Sequence, residues 1–397
     1  MRSAAALSRT REAGLAAAEA ADAAGVALGK PAEVAGTPLA VVLATPDHAE
    51  AAGDLLAAVE ARLEPQVLLG AIAQGVIGPG EEVEEGSAVV VWTARLPGGH
   101  IEPFRTWAVR PPEGGLAVAG WPDTRPGDLT LVLADPYSYP MPEVLGRLGD
   151  QRPGHLTVGG LVSGGAGRSR LLLDDRVHED GAVGVVLRDV EVAPVVSQGC
   201  RPVGEPLTIT AGERNRILTL GGEPALDRLR AVLAEADEAD RLLLQRGGLH
   251  VGMVADEVRD DYDTGDFVVR GLLGVDPEQG SLSIGDLARV GHTVQFQVRD
   301  AASAHTDLVE RLADVGPAAG GLLFSCNGRG HGLFGRRDHD VSVVESRLGV
   351  PVAGAFCAGE VGPVGRRSYV HGFTASLAVF GDHRGPFSHD DEGRGGA

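Results

Sequence analysis

Hydrophobic and polar positions repeat along this chain in blocks of roughly 60 residues. In the first block an apolar run from Pro38 meets the polar junction Thr45 to His48, and residues with helical spacing continue to about Leu63. The run VLLGAIA, a glycine turn, an acidic segment and the run SAVVVWTA complete the block. The pattern predicts a β-α-β-β unit.

The same order of runs occurs twice more. In the second block the strand DLTLVLA leads to the junction Asp135 to Ser138, and a helix is predicted over roughly Met141 to Leu148. The third block is Gly320 to Phe380. Setting VLLGAIAQGVIGP beside PVAGAFCAGEVGP aligns three glycines, an alanine and a proline, which favours duplication over chance.

A weaker fourth block begins at RILTLGG, continues through a predicted helix over Glu223 to Gln245, and ends at TVQFQVRD. We therefore predict an α+β fold of layered mixed and antiparallel sheets, built from repeated β-α-β-β units in two pseudo-symmetric halves. The expected boundaries are an N-terminal helical or flexible segment (1–35), two domains (36–222 and 223–382) and a disordered, glycine-rich tail (383–397).

Composition narrows the classes of partner. The chain has 55 Asp+Glu against 35 Lys+Arg and a formal charge of −20, which disfavours nucleic acid and anionic lipid. Its 3 cysteines form neither a disulfide framework nor a CxxC motif, so we expect no metal, no cofactor and a reducing cytoplasm. The pattern also predicts no signal peptide and no membrane span.

The third block alone gathers many polar residues at its predicted strand ends, where ligands commonly bind. Five arginines within about forty residues suggest a positive pocket for a carboxylate or phosphate. Alternatively, these arginines pair with Asp338, Asp340 and Glu345. The candidate ligand-binding residues are Ser325, Cys326, Asn327, Arg329, His331, Glu360, Arg366 and His371.

Three further interpretations concern particular segments. Cys326 could be a nucleophile with His331 or His371 as its base, or simply a small half-buried thiol beside a turn. GHGLFG fits GxGxxG, but the corresponding junctions have no glycine loop, and no acidic residue stands about twenty positions further on, which disfavours a dinucleotide site. The segment Ser197 to Pro202 could form a hinge between the halves or part of a cleft.

The segments LLFSCNGRG, PVAGAFCAGEVGPVG and HGFTASLAVF, with VVSQGCRPVGEP and LLGAIAQGVIG in the first half, resemble the FIST family of F-box and intracellular signal transduction proteins. The resemblance extends over residues 36–382. It implies FIST N-terminal and C-terminal domains, which the family is proposed to use for sensing small ligands such as amino acids. Family members often carry an output domain or an F-box, and we expect neither here.

The resulting prediction is a cytoplasmic, signal-transduction type sensor of a small anionic or zwitterionic metabolite such as an amino acid. It would signal through a separate partner protein. The alternatives are an enzyme with a Cys326 nucleophile and a protein-interaction scaffold.

Overall fold

The structure is a computed structural model that describes residues 1–29, 35–164, 169–257 and 262–381. Within these residues the strands form four sheets. In three of these sheets, the corresponding strands of the three units are arranged in the same spatial order. The predicted α+β class, with mixed and antiparallel sheets, is confirmed. The predicted tail, 383–397, lies outside the described residues.

The first unit contains a parallel strand pair. Its elements are β1 (Arg2–Ser8), α1 (Ala13–Leu28), β2 (Thr37–Ala44), α2 (Ala52–Leu63), β3 (Val67–Ile72), β4 (Gly75–Gly78), β5 (Glu81–Val83) and β6 (Val89–Leu96). Strands β2 and β3 are parallel because α2 crosses over between them, and β6 returns antiparallel to β2. At the N-terminus the pattern predicts a helical or flexible segment, whereas the structure adds β1. Helix α1 buries six alanines against the sheet and α2.

The second unit repeats this connectivity. Its elements are β7 (His100–Val109), β8 (Ala117–Ala119), β9 (Leu129–Ala134), α3 (Met141–Gln151), β10 (Leu156–Leu161), β11 (Leu171–Leu173), β12 (Arg176–His178) and β13 (Ala182–Arg188). Strands β9 and β10 are parallel, and β13 pairs antiparallel with both β9 and β7. The amphipathic helix α3 packs on the outer face of this sheet.

The segment between the second and third units contains a closed barrel. Its elements are β14 (Val192–Ser197), β15 (Cys200–Glu213), β16 (Arg216–Leu220), β17 (Glu223–Pro224), α4 (Ala225–Glu235), α5 (Glu238–Leu243), β18 (Leu249–Val254), β19 (Phe267–Asp276), β20 (Ser281–Ile284), β21 (Thr293–Arg299) and α6 (Ala301–Ala313). The strand order β15-β21-β18-β19-β20-β16 closes through the β15–β16 pairing.

This barrel differs from the predicted fourth block in two ways. The helix expected over Glu223 to Gln245 is interrupted after Glu235, and the unpredicted strand β18 follows it. Every pairing around the barrel is antiparallel. The topology therefore shows three units of one connectivity and a barrel of another, and does not by itself show two equivalent halves.

The third unit closes the fold. Its elements are β22 (Ala318–Cys326), α7 (Gly330–Phe334), α8 (His339–Leu348), β23 (Val352–Cys357), β24 (Gly359–Val364), β25 (Arg367–His371) and β26 (Ala375–Gly381). Strands β22 and β23 are parallel, β26 pairs antiparallel with β22, and β14 is the edge strand beyond β26.

Each unit gives its hairpin to the sheet of another unit. Hairpin β4–β5 extends the third sheet by pairing with β23. Hairpin β11–β12 extends the first sheet by pairing with β3, and hairpin β24–β25 extends the second by pairing with β10. The three units are therefore interlocked in a cycle.

The inner faces of the three sheets share one hydrophobic core. Side chains from every sheet meet there, among them Trp92 of the first, Leu131 of the second and Phe380 of the third, all of which are fully buried. The ring centroids of Trp92 and Phe380 are 5.0 Å apart. Helices cover the outer faces of the sheets: α1 with α2, α3, and α6 with α8.

One glycine position explains part of the repeat seen in the sequence. Gly70, Gly159 and Gly354 each lie opposite a residue of the parallel partner strand. A Cβ on any of them would come within 2.1 Å of that partner's carbonyl oxygen. Close approach of the backbones therefore requires glycine in all three units.

Candidate functional site

The end of the first strand of each unit is held by one shared hydrogen bond. In each unit a backbone N–H at the end of the first strand donates a hydrogen bond of 2.9 to 3.0 Å. The acceptor is the carbonyl oxygen of the residue just before the last strand of the unit. These pairs are Thr45 with Ala88, Asp135 with Gly181, and Cys326 with Thr374. Cys326 is thus the counterpart of Thr45 and Asp135, and the third unit alone has a thiol at this position.

A buried ion pair lies behind the strand end of the third unit. Arg329 and Asp340 are both 0% exposed, and Arg329 binds Asp340 through Nε at 2.7 Å and through Nη2 at 2.9 Å. Arg329 Nη1 also donates to the carbonyl of Phe373 at 3.3 Å. The structure thus contains the alternative in which Arg329 pairs with Asp340. The guanidinium of Arg329 is occupied by this internal carboxylate.

Two more side chains complete the environment of Asp340. Ser325 Oγ donates to Asp340 Oδ2 at 2.8 Å, and His339 Nδ1 lies 2.9 Å from Oδ1. Burial alone would raise the pKa of Asp340, but the Arg329 guanidinium and the His339 contact outweigh burial and hold this pKa well below its usual range. Asp340 is therefore ionised at neutral pH, and the pair with Arg329 is a permanent part of the fold.

Glu360, on β24, is a second buried carboxyl group. It is 0% exposed, and its Oε2 accepts hydrogen bonds from Thr374 Oγ1 at 2.7 Å and from the Thr374 backbone N–H at 3.2 Å. Its Oε1 accepts from no nitrogen or oxygen donor among the described residues, and the Cys326 thiol lies close enough to interact with the carboxyl group. Burial raises the pKa of Glu360 well above its ordinary value, so the group is predominantly protonated at neutral pH.

All three cysteines of the chain are buried and lie in the same region. Cys326 and Cys357 are register partners on β22 and β23, and Cys200 is close enough to Cys326 and Arg329 to interact with both electrostatically. Burial, followed by the charge of Glu360, raises the pKa of the Cys326 thiol well above its usual range. Because the thiolate is the reactive form, this environment disfavours Cys326 as a nucleophile.

The other predicted site residues fall into two groups. His371 is buried opposite Glu360, and its Nε2 lies 3.0 Å from the carbonyl oxygen of Gly362. Burial lowers the pKa of His371 to about 4, so its imidazole is neutral. The exposed residues are Asn327, His331 and Arg366. Arg366 lies at the turn of hairpin β24–β25, away from the Cys326 strand end.

A cleft of about 650 Å³ lies beside this buried centre, between helix α3 and the barrel. Its walls come from α3, β18, β19, the loop after β20, and β25. The apolar lining residues include Leu145, Met253, Val268, Leu273 and Val370. A cleft of this volume between two parts of a fold is the usual location of a small-molecule site.

The polar residues of the cleft have an excess of positive charge. Arg270, Arg289 and Arg367 contribute three guanidinium groups, against the two carboxylates of Glu143 and Asp286. Arg270 Nε donates to Asp286 at 2.6 Å, and Arg367 pairs with Asp150. Exposed Arg289 has no ion-pair partner in the described part of the chain. In a chain of net charge −20, Arg289 is therefore an uncompensated positive charge at the cleft.

The sequence pattern does not indicate this cleft. Its walls come from segments more than 200 residues apart, and hairpin β24–β25 reaches it only because that hairpin extends the sheet of the second unit. Asp340, by contrast, is one of the three acidic residues that the sequence suggests as partners of the arginines.

Two features are absent from the described residues. No group of three or more His, Cys, Asp or Glu side chains there is arranged to hold a metal ion. None of the helices in this part of the chain combines the length and the apolar character that a membrane span requires.

Comparison with protein families gives two matches that together cover most of the chain. A model of the FIST N domain matches residues 38–223, and a model of the FIST C domain matches residues 225–363. The first match begins in β2 and contains the rest of the first two units. The second contains most of the barrel and the third unit as far as β24.

The chain is also similar to mycobacterial proteins. An uncharacterized protein of Mycobacterium tuberculosis is 47% identical over 356 residues, which cover 87% of this chain and 92% of the relative. An uncharacterized protein of Mycobacterium bovis is 46% identical over 352 residues, which cover 87% of this chain and 90% of the relative.

Proposed function

Because this chain belongs to the FIST family, whose domains are associated with sensing in signal transduction, we propose that it is a cytoplasmic sensor of a small metabolite. The ligand occupies the cleft between α3 and the barrel. It is a small anionic or zwitterionic molecule, such as an amino acid, and the signal passes to a separate protein.

The cleft itself is the observation that carries this proposal. Its volume of about 650 Å³ is within the range of small-molecule sites, and its apolar walls can enclose a carbon skeleton. Residues from both FIST domains line it, for example Leu145 of the N domain and Leu273 of the C domain. A ligand held between them would change how the two domains pack, which is what a sensor requires.

Charge supports an anionic group on the ligand. Arg289 is available for a carboxylate, since no acidic side chain among the described residues pairs with it, and Arg367 lies in the same cleft. Glu143 and Asp286 also line the cleft, but they already pair with Arg110 and Arg270. Of the predicted ligand residues of the third unit, Glu360 and His371 are buried, and His371 ends β25, the strand that contributes to the wall of the cleft.

The experiment is a thermal-shift screen of amino acids and small organic acids on the wild type and two glycine variants. Gly146 lines the cleft on α3, and a Cβ there meets no atom within 4 Å, so Gly146→Phe fills the cleft without disturbing the core. Gly53 on α2 has equally open surroundings outside this cleft, which makes Gly53→Phe the matched control.

A ligand in excess should stabilise the wild type and Gly53→Phe to the same extent, by about 2.7 kcal/mol at one hundred times Kd. Gly146→Phe should lose this stabilisation. If no compound stabilises the wild type, or if Gly146→Phe responds like Gly53→Phe, the cleft is not the ligand site.

A further inference from the structure

A polar patch lies on the outer face of the barrel, where it meets the third unit. Alternate side chains of a strand point to opposite faces. Val251 and Phe296 are register partners in the barrel core, so their neighbours His250 and Gln297, which are also register partners, face outward. Arg299 lies two residues beyond Gln297 on the same face of β21.

Phe373 of the third unit covers this patch. Its ring centroid lies 4.1 Å from that of His250 in an edge-on arrangement, and the Arg299 guanidinium carbon lies 5.6 Å from the same ring centroid. Phe373 has a φ of 63°, a left-handed conformation that is uncommon for a bulky residue. Backbone strain of this kind is concentrated at functional sites.

The covered amide of Gln297 has no partner among the described residues. Gln297 is 0% exposed, yet neither atom of its side-chain amide is hydrogen-bonded there. His250 is 5% exposed, and the adjacent backbone of Leu249 and the Arg299 guanidinium are the polar groups that act on its ring. Burial lowers the pKa of His250, so the ring is neutral and presents one donor and one acceptor. Buried polar groups in folded proteins are almost always satisfied, which indicates that something absent from the polypeptide occupies this patch.

Charge indicates the nature of the occupant. Arg299 donates to the carbonyl of Gly328 at 3.3 Å, but it forms no ion pair with any described carboxylate. The adjacent Asp300 is engaged instead by Arg201 and Ser303. The patch therefore combines an uncompensated guanidinium with neutral hydrogen-bond donors.

We propose that the patch formed by His250, Gln297 and Arg299 under Phe373 binds a compact oxoanion, such as a carboxylate or phosphate group. Arg299 supplies the positive charge and a fork of N–H donors. The Gln297 amide and the His250 ring supply further donors, and their acceptor atoms suit a protonated or hydroxylated ligand. None of these three residues lines the cleft, so this site is independent of the proposed sensor site.

The test is a calorimetric titration with formate and, separately, with inorganic phosphate, at constant ionic strength. Gln297→Leu should weaken binding of the anion by about tenfold or more, since it removes a hydrogen bond to a charged group. The matched control is Gln295→Leu, because Gln295 lies on the same face of β21 but already donates to the carbonyl of Gly204. Its Kd should stay within about twofold of the wild type.

The cleft variant Gly146→Phe should bind the oxoanion like the wild type, which separates failure of this site from failure of the sensor site. Equal weakening in Gln297→Leu and Gln295→Leu, or no binding of either anion, would overturn the proposal. A crystal soaked in selenate gives a second measurement that needs no variant. An anomalous peak beside Arg299 and Gln297 would support the site, and ordered water alone there would refute it.

Discussion

Glu82 and Asp338, which are 256 residues apart, form a reciprocal cap at the start of helix α8. The backbone N–H of Glu82 donates to Asp338 Oδ1 at 2.7 Å, and Glu82 Oε1 accepts from the backbone N–H of Val341 at 2.9 Å. This arrangement resembles a capping box, but its two halves come from different units. The hairpin of the first unit thus fixes the helix that carries Asp340.

The Glu82 carboxyl gives a pH prediction. Burial and the nearby Asp340 charge raise the pKa of Glu82 from 4.5 to about 7. The folded chain therefore holds this proton more tightly than the unfolded chain, so its stabilising effect is lost as the pH rises from about 4.5 to 7. Glu82→Gln keeps an acceptor oxygen for Val341 and removes the titration.

Relative to wild type, the free energy of unfolding of Glu82→Gln should therefore rise with pH by up to about 1.4 kcal/mol per unit in that window. Urea unfolding between pH 4.5 and 8 measures this difference. Glu205→Gln, at an exposed position, should parallel the wild type. Parallel curves for both variants would contradict the assignment.

The ion pair between Arg329 and Asp340 gives a stability prediction. Arg329→Met or Asp340→Leu should each cost about 3 to 5 kcal/mol, because each leaves a buried charge without its partner. The double variant Arg329→Met with Asp340→Leu should cost less than the sum. Urea unfolding measures all three, and the exposed pair Asp227 and Arg230 serves as control.

Single substitutions that cost less than about 1 kcal/mol would mean that Arg329 and Asp340 are not a desolvated pair. At the control pair, Asp227→Asn should change stability by about 0.5 kcal/mol or less.

The glycine shared by the three units gives a backbone prediction. A Cβ on Gly354 would lie 1.8 Å from the carbonyl oxygen of Leu323, so Gly354→Ala should prevent normal pairing of β22 with β23. Gly321 is in the neighbouring strand, and a Cβ there meets nothing closer than 3.7 Å, so Gly321→Ala should be tolerated. Soluble yield and thermal unfolding distinguish the two, and equal behaviour would contradict the close approach.

The repeat can be read from the sequence because close backbone contacts leave a local signature. Gly70 and Gly354 are aligned in the sequence for the same reason that they are required in the structure. The exchange of hairpins leaves no such signature, because pairing between β4 and β23 depends on contacts across most of the chain. The barrel differs from the predicted fourth block because the helical pattern over Glu223 to Gln245 indicates neither the break after Glu235 nor strand β18.

The candidate site is only partly predictable for similar reasons. Residue type and position in the third unit indicate Cys326, Arg329 and Glu360, but their burial depends on tertiary packing. From the sequence, Arg329 could bind either a ligand or an acidic side chain. In the fold, it forms an ion pair with Asp340. Whether the predicted residues contact a ligand stays a prediction.

Burial of the cysteines gives a reactivity prediction. Cys326, Cys200 and Cys357 should react with a thiol reagent at neutral pH at least about a hundredfold more slowly than a free cysteine peptide, because a buried thiol with a raised pKa forms little thiolate. Timed alkylation followed by mass spectrometry measures each site, with the urea-unfolded chain as control. Rapid labelling of Cys326 alone would favour the enzyme alternative.

The most direct test of the sensor account is a methyl NMR titration of the intact chain with the amino acids and organic acids that stabilise it. Leu145 and Leu273 report on the two walls of the cleft, and the core residue Leu39 is the internal control. The account predicts saturable shifts of the Leu145 and Leu273 methyls, with Leu39 unchanged, and their loss in Gly146→Phe. Saturable binding that leaves both cleft methyls unshifted would contradict it.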